Sequence, residues 1–264
     1  MARFKKNQFR GILGNLVFRV VNGVMIVSTK KAKGTTKQTK ETKRAGNTFG
    51  MAGALASNIM GCFNRQMYNL QDTGMYNRLS KVAASCLHDS RDTKSLLFNF
   101  SEGSFDVMDD FEYNINSPLR ISLRSRPQLS YANGVLKVLL TGLNDRSNLK
   151  YPKDGYICEI TAGLGLFRLQ DGKRLRDAET QRITINHDDT GLGSHEFSFV
   201  VPNGCFCVVA LSLTYFAYRH HFTELINNKN FSPAILCKSF FTPGTYQEDT
   251  NRRWETMDGL TFMI

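Results

Sequence analysis

"LVFRVVNGVMIVS" (Leu16–Ser28) consists of two runs of β-branched and apolar residues on either side of Asn22-Gly23. Asn-Gly reaches positive φ cheaply at both central positions of a type I′ turn, whose twist matches that of the paired strands. The stretch therefore predicts a β-hairpin. Just upstream, Gly11 and Gly14 mark a turn or a close approach of the backbone. Just downstream the chain changes character: "KKAKGTTKQTKETKR" (Lys30–Arg44) carries seven cations and one anion, Glu41.

Beyond the hairpin the apolar period lengthens. Phe49, Ala52, Leu55, Ala56, Ile59, Met60, Phe63 and Met67 recur at helical spacing and form one stripe. Thr35 followed by Gln38 fits a capping box and predicts the helix start there. Lys37, Lys40 and Arg44 would then share a face of the first turns, with Lys33 just outside. Gly46, Gly50 and Ala54 form a row of small residues at spacing four, which lets another element approach closely at a cost in helix propensity. A second helix, "GMYNRLSKVAASCLH", repeats the stripe through Met75, Leu79, Val82, Ala83 and Cys86.

From about residue 95 the period falls to two. "KSLLFNF", "SFDVM", "RISLRSR", "GVLKVLL", "YICEITAG", "GLFRLQ", "QRITINH", "HEFSFVV", "CFCVVALSLTYFAYR" and "PAILCKSFF" are short β-prone runs between Gly, Pro, Asn and Asp. Asn133-Gly134 suggests a second tight turn. No long helices separate these runs, which argues against a parallel sheet and a nucleotide-binding crossover fold. The expected class is α+β. Residues 1–94 would form a basic hairpin and helical region, and 95–264 an antiparallel β-sandwich.

Charge is segregated along the chain. Of 34 Lys+Arg and 23 Asp+Glu, residues 1–50 hold twelve cations and one acid, so the remainder holds 22 of each and is neutral. Lysines near a helix N-terminus oppose the macrodipole unless an anion satisfies both. Thr35, Thr36, Thr39 and Thr42 add hydroxyls suited to phosphate oxygens. Lys30, Lys31, Lys33, Lys37, Lys40, Lys43 and Arg44 are thus the candidate polyanion or nucleic-acid contacts; the bland alternative is a solvated helix start. No Phe, Tyr or Trp lies between Met25 and Phe49, so base stacking is not indicated.

Other chemistries have weaker signals. Cys62, Cys86, Cys158, Cys205, Cys207 and Cys237 show no CxxC spacing and suit buried, reduced thiols better than a zinc site. "TAGLGLF" (Thr161–Phe167) lacks the Lys-Ser/Thr of a phosphate loop and reads as a glycine-relieved strand or bulge. His187-Asp188-Asp189 with His195-Glu196 would suit either a cation or a polar turn. His220-His221 point to opposite faces of a strand end, and Asp109-Asp110 are adjacent rather than set across a cleft. No catalytic residue, metal ligand or cofactor is assigned, and a non-enzymatic protein is expected. The closing run "LTFMI" suits a last strand in the chain's own sheet, or one added to a neighbouring subunit's edge. No secretory signal or membrane span is read, which predicts a cytoplasmic protein.

The N-terminal third resembles a family of uncharacterised bacterial proteins. The pattern is Gly-x-x-Gly-Asn, a hairpin with Asn/Lys-Gly, a basic segment, then Thr-x-x-Gln…Arg…Phe entering a helix. The matching residues are Gly11, Gly14, Asn15, Asn22, Gly23, Gln38, Arg44 and Phe49. The proline common before the family's Thr-x-x-Gln is absent here. The resemblance implies an N-terminal hairpin and helices followed by a β-sandwich, and it carries no particular enzyme activity over to this chain. Similar helix openings in some phage-related structural proteins imply an assembly role. Two expectations follow: a homo-oligomeric, virion-like or filament subunit associating through Gly46, Gly50 and Ala54 and through sheet edges, or a nucleic-acid-binding protein that holds phosphates without reading bases.

Overall fold

The computed structural model describes residues 2–5, 7–21, 23–32, 39–92, 94–95, 97–189, 193–219, 222–248, 251–258, 260 and 262. The chain divides into two compact units, residues 1–45 and 46–264.

In the first unit four strands form an antiparallel meander: β1 (Arg3–Lys5), β2 (Gln8–Leu13), β3 (Leu16–Val21) and β4 (Val24–Thr29). The register Val21↔Val24 leaves a two-residue loop at the expected hairpin turn. Gly23 has φ +80° there, while Asn22 lies outside the described residues. Leu13↔Leu16 closes a second such loop at Gly14-Asn15, with Gly14 at φ +57°. The predicted hairpin is therefore the second half of a four-stranded sheet.

Helix α1 (Lys40–Met67) begins five residues after the expected cap. The Thr39 hydroxyl accepts a hydrogen bond from Thr42 N at 3.1 Å, and the Thr39 carbonyl one from Lys43 N. Thr39 is thus the N-cap; Thr35 and Gln38 lie outside the described residues. In the second unit Ala52, Leu55, Ala56, Ile59, Phe63 and Met67 are buried as the stripe predicts. Phe49 is not: it is 63% exposed, because burial along α1 starts at Met51–Ala52. α2 (Met75–Asp89) buries Met75, Leu79, Ala83 and Cys86, with Val82 half-buried.

The remaining elements are β5 (Phe111–Glu112), α3 (Leu119–Ser122), β6 (Gln128–Ala132), β7 (Val135–Thr141), β8 (Ile157–Arg168), β9 (Lys173–Leu175), β10 (Glu179–Asn186), β11 (Ser194–Val200), β12 (Phe206–Arg219), β13 (Phe222–Leu225), β14 (Ala234–Phe241) and β15 (Trp254–Thr256). The main antiparallel sheet runs β15-β9-β8-β12-β14-β5, with β10 beside β8 and β13 beside β12; β11-β7-β6 forms another. The expected α+β class with sandwich-like antiparallel sheets is what the molecule has. Asn133 and Gly134, at φ +51° and +74°, make the β6–β7 turn.

Three β-prone runs take other forms. "SFDVM" contains a 3-10 turn (Asp106–Met108), "RISLRSR" contributes α3, and "KSLLFNF" enters only an isolated bridge, Arg91 with Phe98. "YICEITAG" and "GLFRLQ" merge into β8, the central strand. Its residues are buried on both faces, which erases polar alternation. Gly163 and Gly165 lie under α1. A Cβ at Gly163 would collide with the Gln66 carboxamide, and one at Gly165 would lie 2.9 Å from the Phe63 ring. Gln66 Nε2 donates to Thr161 O at 3.0 Å and Ser212 Oγ at 3.2 Å, fixing α1 across β8 and β12. On the other face Ile160, Ala162, Leu164 and Leu166 join the single core that includes Leu136, Val138 and Leu140 of β7 and Phe197 and Phe199 of β11.

All six cysteines are free and buried, as their spacing predicts. Burial pushes the Cys62 and Cys205 thiols up to about 12 and Cys86 to about 11. The last strand is β15, upstream of the expected run, and it pairs with β9. Leu260 and Phe262 of "LTFMI" are buried without being in a strand, and Phe262 N donates to Leu169 O. Thr261, Met263 and Ile264 lie outside the described residues.

Candidate polyanion-contacting segment

Thr39 sets the start of α1, and the first turns behind it carry Lys40, Lys43 and Arg44, all exposed. Lys30 and Lys31 follow β4, where Lys30 N donates to Asn15 O at 2.6 Å and extends the β3–β4 ladder. They are exposed as well. Lys33 and Lys37 lie outside the described residues. Within this unit Lys30, Lys31, Lys40, Lys43 and Arg44 form no ion pair among the described residues. The one acid is Glu41; hydrogen bonds from its own backbone N–H and from the Thr39 hydroxyl, together with Arg44, hold its carboxyl below the ordinary range.

The strands of the same unit add cations that the sequence reading left aside. Strand parity and cross-strand register place Arg3, Lys5, Arg10 and Arg19 on one face of the sheet, all exposed. Arg3 and Arg10 are directly opposite each other across β1 and β2. Like charges so placed repel, and an anion between them would relieve the repulsion. The signal was present in the alternation of "RFK", "QFR" and "FRV", each setting basic against aromatic or aliphatic positions.

The second unit handles its charge differently. Arg78 forks onto Asp72 at 2.8 and 2.9 Å, Arg65 meets Asp177 at 3.3 Å, and Arg252 meets Glu179 at 2.6 Å. Lys238 bridges Asp106 and Asp109, and Asp109 also accepts from Ser239 N. The Asp109 carboxylate thus anchors β14 to the preceding loop. The His187 ring bonds Asp188 at 2.9 Å, while Asp189 accepts from Asn186 N and Nδ2. His195 instead packs edge-on against Phe197. The pattern is that of a polar turn, and no group of three His, Cys, Asp or Glu suited to a metal occurs among the described residues. His220 and His221 lie outside them.

In the row of small residues, a Cβ at Gly46 or Gly50 would meet nothing within 4 Å. Ala54 is half-buried and packs against the core. The helix glycines that do have close neighbours are two that the spacing did not single out. Gly53 faces the Tyr76 hydroxyl, and Gly61 faces the Arg174 guanidinium, which pairs with Glu255. No helix is long and apolar enough to cross a membrane among the described residues.

Family models, curated proteins and solved structures were compared with the chain, and none matches it.

Proposed function

We propose that this is a non-enzymatic assembly protein that self-associates and holds a polyanion through its basic N-terminal unit. The observation that carries the reading is the contrast in charge between the units. Cations of the second unit are repeatedly matched with acids, whereas Lys30, Lys31, Lys40, Lys43 and Arg44 are exposed with only Glu41 in their segment. Lysines at a helix start and arginines facing each other across two strands are both stabilised by an added anion. A neutral body opposes packing of copies with little self-repulsion. The likeness of the helix opening to those of some phage-related structural proteins favours the assembly role.

Phosphates of a nucleic acid are the polyanion this surface suits best, held without base readout, since no aromatic residue lies between Met25 and Phe49. A protein whose main task is sequence-nonspecific nucleic-acid binding is the second reading, favoured by the same clustering. The test is titration of DNA and RNA across a salt series. Seven phosphate contacts give a log–log slope of about −6, and Lys40→Glu, Lys43→Glu and Arg44→Glu combined remove about half of it. Binding that ignores salt, or survives the three reversals unchanged, would refute the proposal.

A further inference from the structure

We infer that the uncharged face of the β1–β4 sheet stacks on the same face of a second copy, giving one sandwich with the arginines outside. This rests on the self-association just proposed and names the surface that carries it.

Residues directly paired across strands share a face. Phe4 pairs with Phe9, Gly11 with Phe18, Leu13 with Leu16, Phe18 with Val27 and Val20 with Met25. The rings of Phe4, Phe9 and Phe18 run in a row, with centroids 4.8 and 5.5 Å apart. Among the described residues this face carries no Lys, Arg, Asp or Glu; Arg3, Lys5, Arg10 and Arg19 are on the other. Yet it is uncovered. Phe4, Phe9, Leu13, Met25 and Val27 are 41–62% exposed, and no described residue of the unit is buried. A small sheet without a packed apolar face is at best marginal in water.

An occupant must offer an equally apolar and uncharged surface, so a polyanion or an acidic protein does not fit. A second copy does. Its face has the same area, composition and twist, and a two-fold axis presents the patch to itself. Stacked sheets lie about 10 Å apart with outer side chains pointing away, so the cations of the two copies stay in water on opposite surfaces. At ~200 Å² per large apolar side chain, the exposed fractions amount to about 600 Å² per copy, hence about 1,200 Å² in the pair. That reaches the lower bound for stable specific interfaces. Pairing through the β4 edge would instead leave the apolar face wet.

The experiment is sedimentation of the full chain over a concentration series, with circular dichroism to confirm folding. Phe18→Lys with Val27→Lys puts two charges on the stacked face and is expected to weaken association more than about 100-fold. Val17→Lys, one residue away on the arginine face, is expected to leave it unchanged. If the double variant keeps the wild-type mass, the stacked face is refuted while assembly stands. Loss of association in Thr29→Pro alone, which removes an N–H that points out from β4 and leaves the apolar residues in place, would assign the contact to the β4 edge and overturn the inference likewise. A wild-type chain monomeric at every concentration, with or without nucleic acid, overturns both. So does a monomeric wild type that pellets with phosphatidylcholine vesicles.

Discussion

A methyl group at Gly163 would be driven into the Gln66 carboxamide, and one at Gly165 into the Phe63 ring, whereas one at Gly46 or Gly50 would meet open space. Four glycines thus predict opposite outcomes. Gly163→Ala must expel a side chain that is 8% exposed and hydrogen-bonded to two strands, so it is expected to destabilise by about 1–3 kcal/mol. Gly46→Ala and Gly50→Ala are expected to stabilise by up to about 1 kcal/mol each, through helix propensity alone. Urea unfolding measures both. If the alanines also reduce the oligomer's mass, the row of small residues is part of a contact between copies.

Asp72 works at the scale of elements. One carboxylate oxygen accepts from Gly74 N at the start of α2 and from Arg78, and the other accepts from Arg78 and from Ile115 N after β5. Burial opposes its ionisation, but the Arg78 guanidinium and the Ile115 and Gly74 N–H groups together hold its pKa below the ordinary value. A depressed native pKa contributes stability that is present above the unfolded value, near 4, and is lost as pH falls through the native one. Asp72→Asn is therefore expected to cost about 2–4 kcal/mol at neutral pH, with the gap to wild type narrowing below about pH 4. Thermal melts of both proteins across that range check it. Elements like these were unevenly legible in the sequence. Turns at Asn22-Gly23 and Asn133-Gly134 were read correctly because their chemistry is local, and the stripes of α1 and α2 because they are periodic. β8 was split in two, since Gly163-Leu164-Gly165 resembles a break until a helix is seen lying on it. "SFDVM" and "RISLRSR" read as strands because short runs carry too few residues for a period to decide. The candidate segment was visible as charge, and so was the alternation of basic with apolar residues in β1–β3, but only cross-strand register shows that Arg3, Lys5, Arg10 and Arg19 share one face.

For the whole molecule, the buried core among the described residues lies between Ala52 and Phe262. A chain lacking residues 1–45 is expected to keep its main calorimetric transition within about 2 °C, while losing both salt-dependent nucleic-acid binding and self-association. A large drop in the transition would show that the N-terminal sheet supports the body it precedes. The same interior holds all six cysteines as free thiols whose burial suppresses the nucleophilic thiolate. The native surface is therefore silent toward maleimides, and a single cysteine engineered anywhere on the outside would be the sole position to take up a fluorophore or spin label.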